Sequence, residues 1–485
     1  MIAFFLRIYQ LGARDFWFDE TVSVFIAKDV LSNWNPPLYY FFLHYWIKLF
    51  GVSEFSLRFP SMLFSIFSIL LIFILGKKIF NYKVGLYSAV LMTFSPFHIW
   101  YAQEARPYSL AVLVGLLSSY SLYIIFTEKK GMGWYYFIFF SIIGLYVSYF
   151  YAVMIIFQSI YLVVHFWRVK NFVNKKYFSL LILIPFGFIL WFPKLIDNFL
   201  WIKKGFWVPL PNVKSLFITL ENFLLGYNVS QSTYIISDIL VFFLLGKVFW
   251  YIMKNRKLIQ NFSFCFSHFL VPIVSIFIFS KTIFPIYLDR ALILFSPYYY
   301  LALSLALTSI NNKKIKSFLS LFILGLLFYG LFSFYSDWMS TGLTHHVGVH
   351  LKKPIKPVIK FMKNNLRPED KIAFTNISIV PSYFFYSKEE LVSFTKRHFF
   401  LFIPGIKDDY FQFSGIPRHN YFIPIQKLNE IEFERLWVIY SSWARNGNLD
   451  KNSLRVKEHL SKILTLSLIK EFDGIEIFRY ERNRQ

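Results

Sequence analysis

Trp17-Phe18-Asp19-Glu20, followed fifteen residues later by Asn35-Pro36-Pro37-Leu38-Tyr39-Tyr40, sets two adjacent carboxylates just behind a short apolar N-terminus. What surrounds them decides the fold. The 485-residue chain is 56% hydrophobic, 22% aromatic and 16% charged, with mean hydropathy +0.49. Soluble domains run near ~45–50% apolar and ~25% charged. Apolar runs of about 20 residues, each long enough to cross a bilayer core, recur along the chain. Spans are expected at 60–79, 83–100, 107–126, 133–150, 151–167, 177–193, 234–253, 262–281, 290–309 and 317–335. The chain is thus read as a polytopic α-helical membrane protein with about 10–11 transmembrane helices. Met1 to Leu11 is too short to span, so a complete first helix is expected to carry more apolar residues before Met1. Residues 12–59 form a long first loop, in which Pro37 to Phe50 suits an aromatic helix lying at the interface.

The net charge of +24 does not point to nucleic acid, because the basic residues gather in alternate short loops. Lys77, Lys78 and Lys83 lie in one, then Lys129 and Lys130, Arg168 to Lys176, Lys254 to Lys257, and Lys313 to Lys316. That is the positive-inside pattern, and it places these loops in the cytoplasm. Loops 12–59, 100–107, 194–233 and 281–290, with the tail, are then expected on the other side. The acids before residue 337 fall almost entirely on that outer face: Asp15, Asp19, Glu20, Asp29, Glu54, Glu104, Asp197, Glu221 and Asp289, with Asp238 near it. Carboxylate chemistry is expected there. The single Cys265, inside an apolar run, gives neither a disulfide framework nor a thiolate metal site. No cleavable signal peptide is read.

From about Asp337 charges of both signs become frequent. Residues 354–365 suit an amphipathic helix, Lys371 to Thr375 and Leu436 to Tyr440 suit strands, and Asp473-Gly474 suits a hairpin turn. The chain is therefore divided into a helical catalytic domain, 1–336, and a small outward-facing α/β domain, 337–485.

Two readings of Asp19 and Glu20 stand side by side. As a functional pair, one carboxylate takes the proton from an acceptor hydroxyl in an inverting glycosyl transfer. As a structural pair, they start a helix through Thr21 to Val30, where acids favour the N-terminal dipole. Arg58, Arg106 and Arg290 each stand near the outer end of an expected span. An ionised group there is a functional candidate by default, and a guanidinium can grip a phosphate with a bidentate fork. Local pairing with Glu54, Glu104 and Asp289 is the competing account. Pro36, Pro37, Tyr39 and Tyr40 either start an interfacial helix or line a cavity near a phosphate; the two are compatible. His346 and His350 have i,i+4 spacing, but with no third ligand near them a polar turn is the better reading than a metal site. No phosphate-cradling glycine loop supports a nucleotide-driven pump.

Trp17 to Glu20, Asn35 to Tyr40, Phe50-Gly51-Val52-Ser53-Glu54 with Leu57-Arg58-Phe59-Pro60-Ser61, and Gln103-Glu104-Ala105-Arg106-Pro107-Tyr108 occur in that order. Together they resemble the GT-C membrane glycosyltransferases of the family 39 type, which include protein mannosyltransferases and aminoarabinose transferases. The resemblance is strong over residues 7–110. It implies a donor sugar on a polyprenyl or dolichyl monophosphate, Asp19 as catalytic base supported by Glu20, and Arg58, Arg106 and Arg290 on the carrier phosphate. Asn35, Pro36, Pro37, Tyr39, Tyr40, Glu104 and Tyr108 would line the cavity. Two departures stand out: Asp289-Arg290-Ala291 replaces the more usual Arg-Tyr pair, and Asn35 stands where some relatives carry lysine.

The implied activity is an inverting hexosyl- or pentosyltransferase of the cell membrane, multi-pass, with its active site and C-terminal domain extracytoplasmic. Its partners would be a polyprenyl-phosphate-linked sugar, membrane lipid, and a glycan, lipid or protein acceptor. The residues name no cofactor, and the wider class leaves a divalent metal open, since its members differ in using one. A lipid-linked glycan flippase would need charges deep in several helices, and few are seen. A non-catalytic scaffold whose tail binds cell-wall partners is the remaining alternative.

Overall fold

The computed structural model describes residues 1–127, 131–169, 179–255, 258–336, 352–387, 399–401, 428, 432–441 and 449–482. His345, His346 and His350, and the expected boundary at 336/337, fall at or outside those limits. The described chain forms two compact units, each assembled from separate stretches of sequence. The first takes 1–11, 34–42 and 56–348; the second takes 12–33, 43–55 and 349–485.

The first unit is helical. Among the described residues, seven helices are long and apolar enough to cross a membrane: Glu54–Ile79, Tyr108–Thr127, Leu180–Lys203, Gln231–Lys254, Ile259–Thr282, Asp289–Thr308 and Lys313–Tyr335. Met132–Val147 and Tyr151–Trp167 are shorter apolar helices. Asp289–Thr308 is the central one: from Ser296 to Leu307 every residue is buried. Leu180–Lys203 is its opposite, with Ile189, Leu190 and Phe186 exposed. An apolar face left outside a bundle is what lipid permits and water penalises. The protein is a multi-pass membrane protein.

The helical breaks differ from the sequence expectation at three places. The run 83–100 is two helices, α5 (Tyr82–Phe94) and α6 (Pro96–Ala102). Ser95 is extended there and caps α6 through its side chain, and Pro96 sits where a missing N–H costs nothing. The run 133–150 stops at Val147, where Ser148 turns extended. The stretch 194–233, expected as a loop, holds the end of Leu180–Lys203 and a further helix, Val213–Leu225, whose Asn212 and Ser215 form a reciprocal cap. Caps of this kind are legible only once the helix is suspected. Close packing rests on small residues: a Cβ on Gly76 would stand 2.8 Å from the Gly85 backbone.

The second unit is built on a five-stranded sheet of order β2-β1-β3-β5-β4, with β1 Lys371–Phe374, β2 Phe399–Leu401, β3 Arg435–Ser441, β4 Thr465–Phe472 and β5 Ile475–Glu481. β1 runs parallel to β2 and β3, while β5 runs antiparallel to β3 and β4. The β4–β5 hairpin turns at Asp473-Gly474, where Gly474 has φ +69°, a conformation glycine adopts without a Cβ penalty. Every residue of β3 is buried, as a central strand requires. Helix Lys451–Ile463 packs Val456 and Leu460 onto Val438, Tyr440 and Phe478. Helix Ile355–Asn365 forms where the amphipathic pattern placed one.

Candidate active site

The two acids begin a helix. α2 spans Phe18–Lys28, with Trp17 extended before it and Asp19 and Glu20 in its first turn, where carboxylates favour the helix dipole. The structural reading of the pair thus holds in full, and it leaves the functional one intact. The two acids are not equivalent. Glu20 is completely buried and meets the Lys352 ammonium at 3.4 Å, a group itself only 7% exposed. Asp19 keeps part of its surface, and its carbonyl accepts the Ser23 hydroxyl at 3.0 Å.

The loop carrying them is fastened by residues more than 300 positions later in sequence. The Phe16 N–H donates to the Tyr386 hydroxyl at 2.7 Å, and that hydroxyl donates to Glu54 Oε1, also at 2.7 Å. Lys356 bridges Asp15, at 3.5 Å, and Glu54, while its backbone N–H donates to Asp15 Oδ2 at 2.8 Å. Thr21 lies 3.4 Å from Ser382, hydroxyl to hydroxyl. Lys352, Lys356 and Tyr386 were invisible as partners in the sequence, because nothing in local periodicity reports contacts of that separation.

The arginines belong to the helical unit, each at the start of a helix. Arg58 lies in the second turn of α4 (Glu54–Ile79), is 1% exposed, and donates from Nη1 to the Leu11 carbonyl at 3.0 Å. Arg106 precedes α7 (Tyr108–Thr127); it donates to the Tyr40 hydroxyl at 3.3 Å and sits 5.7 Å over the Tyr108 ring. Arg290 is the second residue of Asp289–Thr308 and lies 5.5 Å over the Trp207 ring. Arg106 and Arg290 are half-buried.

A polar and aromatic chain joins these positions. Ser61, one turn beyond Arg58, donates to the Arg106 carbonyl at 3.3 Å. The Tyr108 ring meets Tyr101, whose hydroxyl pairs with that of Tyr227 at 2.6 Å. Tyr227 also hydrogen-bonds Asp289, whose carboxylate accepts from the Asn222 amide and, at 2.8 Å, from the Arg290 N–H. Arg58, Arg106 and Arg290 therefore share one end of the bundle. Asp289 receives its neighbour's N–H; Glu104 Oε1 accepts from Trp100 Nε1 at 2.7 Å, and Glu54 is engaged by Lys356 and Tyr386.

The proline pair does what its chemistry suggests. The Pro37 carbonyl accepts the first bond of α3 (Leu38–Phe50) from Phe41, which throws Tyr39 and Tyr40 inward, edge to face at 5.6 Å. Asn35 and Pro36 are half-buried beside them. One functional-looking residue was missed. Arg7, wholly buried, donates to the Met92 and Thr93 carbonyls at the end of α5 and to Ser65 Oγ at 2.8 Å. It caps a helix C-terminus, and a lone cation in an apolar stretch was its only signal. Among the described residues no three His, Cys, Asp or Glu gather as a metal would need.

Residues 34–192 match the dolichyl-phosphate-mannose-protein mannosyltransferase family, a stretch that includes Asn35, Arg58 and Arg106. A curated relative from Wigglesworthia glossinidia brevipalpis, undecaprenyl phosphate-alpha-4-amino-4-deoxy-L-arabinose arabinosyl transferase, is 37% identical over 112 residues, 20% of this chain and 20% of its own length. An uncharacterized protein of Aquifex aeolicus (strain VF5) is 29% identical over 141 residues, 26% of this chain and 28% of its own. The chain thus spans between a fifth and just under a third of these relatives' length in the alignments. In structure the likeness runs end to end. ArnT from Cupriavidus metallidurans in the apo state superposes with TM-score 0.64 at 10% identity, covering 98% of this chain and 95% of that one. The same protein bound to undecaprenyl phosphate gives 0.62 at 11% identity, covering 99% and 96%. In fold across the chain, and in sequence over residues 34–192, the protein is similar to the GT-C membrane glycosyltransferases.

Proposed function

We propose that the protein moves a sugar from a polyprenyl monophosphate carrier to an acceptor hydroxyl on the extracytoplasmic side of the membrane, with inversion at the anomeric carbon. The observation that carries this reading is the gathering of Arg58, Arg106 and Arg290 at one end of the helical unit, linked through Ser61, Tyr101, Tyr227 and Asp289. Fixed cations at a helix-bundle end suit a lipid-borne phosphate, which must arrive from the bilayer. The solved relative with undecaprenyl phosphate supports the ligand class by analogy of fold.

Asp19 takes the acceptor proton as the hydroxyl oxygen attacks the anomeric carbon. The bond to the carrier breaks on the opposite face, and its electron pair stays with the phosphate oxygen. Phosphate is a good enough leaving group to need no general acid. Arg106 and Arg290, half-buried and each held against an aromatic face, take the developing charge; Arg58 adds its field from a buried position. Glu20, committed to Lys352, holds α2 in place for its neighbour. Asn35, Pro36, Pro37, Tyr39, Tyr40, Glu104 and Tyr108 shape the wall. The active-site face and the second unit lie outside the cytoplasm on the charge pattern of the loops.

The test is product analysis with labelled polyprenyl-phosphate sugars offered to purified protein in lipid, beside Asp19→Asn. Transfer with inverted anomeric configuration, lost in the variant at unchanged expression, supports the assignment. Full transfer by Asp19→Asn removes Asp19 as the base.

A further inference from the structure

At the other end of the same helical unit, a cavity of about 480 Å³ opens among helix termini that the arginines do not reach. It lies where Glu54–Ile79 ends and α5 begins, between the ends of Gln231–Lys254 and Asp289–Thr308 and the start of Ile259–Thr282. Its polar wall is Asn81, Lys83, Tyr251, Thr308 and Ser309; Phe80, Leu258 and Leu305 supply the apolar side. Its size falls within the roughly 300–1,000 Å³ of ordinary ligand pockets.

The surroundings are strongly basic. Lys77 and Lys78 close the last turn of α4, and Lys313, Lys314 and Lys316 open the helix Lys313–Tyr335. Lys316 reaches back to the Thr308 carbonyl at 3.2 Å, so one ammonium is already held at the rim. Lys247 and Lys254 flank the Trp250 ring at 4.0 and 4.1 Å, beside Tyr251. Trp250 is half exposed, as an aromatic at a membrane–water boundary would be. Among the described residues no acid lines this cavity.

We infer that this cavity binds the phosphate headgroup of an anionic glycerophospholipid, with Lys83 and the Tyr251 hydroxyl on the phosphate and the first acyl carbons against Phe80, Leu258 and Leu305. Basic pockets between membrane helices take anionic headgroups because the nearby lysines are attracted both to the phosphate and to a negatively charged leaflet. The mixed lining separates this from a site for a free anion, which gains nothing from the apolar side. The inference is independent of the sugar-transfer reading, since it uses none of the same residues.

The experiment uses delipidated full-length protein in detergent, offered phosphatidylglycerol, phosphatidylcholine or inorganic phosphate. Native mass spectrometry reads retained lipid, and thermal unfolding reads stabilisation. The expected result is at least tenfold greater retention of phosphatidylglycerol than phosphatidylcholine, a melting shift of several degrees, and no shift with millimolar phosphate. Lys83→Gln and Tyr251→Phe should each lower the preference severalfold, and the control Lys203→Gln, an exposed lysine outside the cavity and its basic surroundings, should leave it intact. Equal retention of the two lipids overturns the proposal, as does an equal loss in the control, which would mean diffuse charge. Stabilisation by phosphate alone overturns the lipid assignment in favour of a free anion.

Discussion

The two units keep ionised groups by different means. In the second, acids are matched with cations: Glu20 with Lys352, Asp15 and Glu54 with Lys356, Asp370 with Arg435 at 3.0 Å. In the helical unit, Arg106 and Arg290 lie on tyrosine and tryptophan faces, and Asp289 is fed by an amide and a phenol. Matched pairs cancel locally and leave nothing for a ligand. A ring attracts a cation without neutralising it, and Arg106 and Arg290 are the groups proposed above to meet the carrier phosphate. The difference teaches where to expect rigidity and where to expect binding.

The sharpest way to break that comparison is to separate Asp19 from Glu20. Asp19→Asn should lower turnover by about 10²–10⁴-fold, the range of a lost general base, with the melting temperature unchanged. Single-turnover kinetics and thermal unfolding on the same preparation measure both. A large melting shift in this variant would make Asp19 a structural residue. Next in size, Lys352→Met removes the cation beside the buried Glu20 and should destabilise the protein by about 3–5 kcal/mol, whereas Glu20→Gln combined with Lys352→Met should recover most of that loss. Denaturation of the four forms decides whether the pair is coupled.

In the helical unit the effect should appear in binding. Arg106→Ala or Arg290→Ala removes a charge-assisted contact of about 1.5–3 kcal/mol, so KM for the carrier-linked sugar should rise roughly 10- to 100-fold with stability little changed. An unchanged KM with lowered stability would turn these arginines into structural groups like Arg7. The smallest effect concerns pH. Burial, against the pull of Asp473 and Asp450, lowers Lys353 to about 8 from the ordinary 10.5. Between those values the unfolded chain holds a proton that the folded chain does not, so stability should rise with pH. The slope should approach about 1 kcal/mol per pH unit, and Lys353→Met should flatten it. Unfolding followed from pH 7 to 10 gives the answer.

The sequence carried the helical unit well because lipid imposes a one-dimensional rule: a backbone crossing hydrocarbon must be helical and apolar for its whole length. It carried the hairpin at Asp473-Gly474 and strands β1 and β3 because turn chemistry and β-branched runs are local. It failed at Ser95-Pro96 and at Val213–Leu225, where hydropathy alone cannot tell a break from a span or a packed helix from a loop. Helix Lys451–Ile463, amphipathic and capped by Asp450, was also legible in principle but not read.

By itself, then, the sequence determined the membrane class, the approximate place of most of the apolar helices, the acid-bearing and arginine-bearing segments, and the motif order over residues 7–110. Those properties depend on composition and short spacing. Only the tertiary structure decided that 12–33 and 43–55 form one compact unit with 349–485, and that Glu20 is sealed against Lys352 while Asp19 stays partly open. It also decided that three arginines far apart in the chain share one end of the bundle. The physical reason is the same each time. The cost of burying a charge is met by whichever group the fold brings within about 4 Å, and sequence distance says nothing about that.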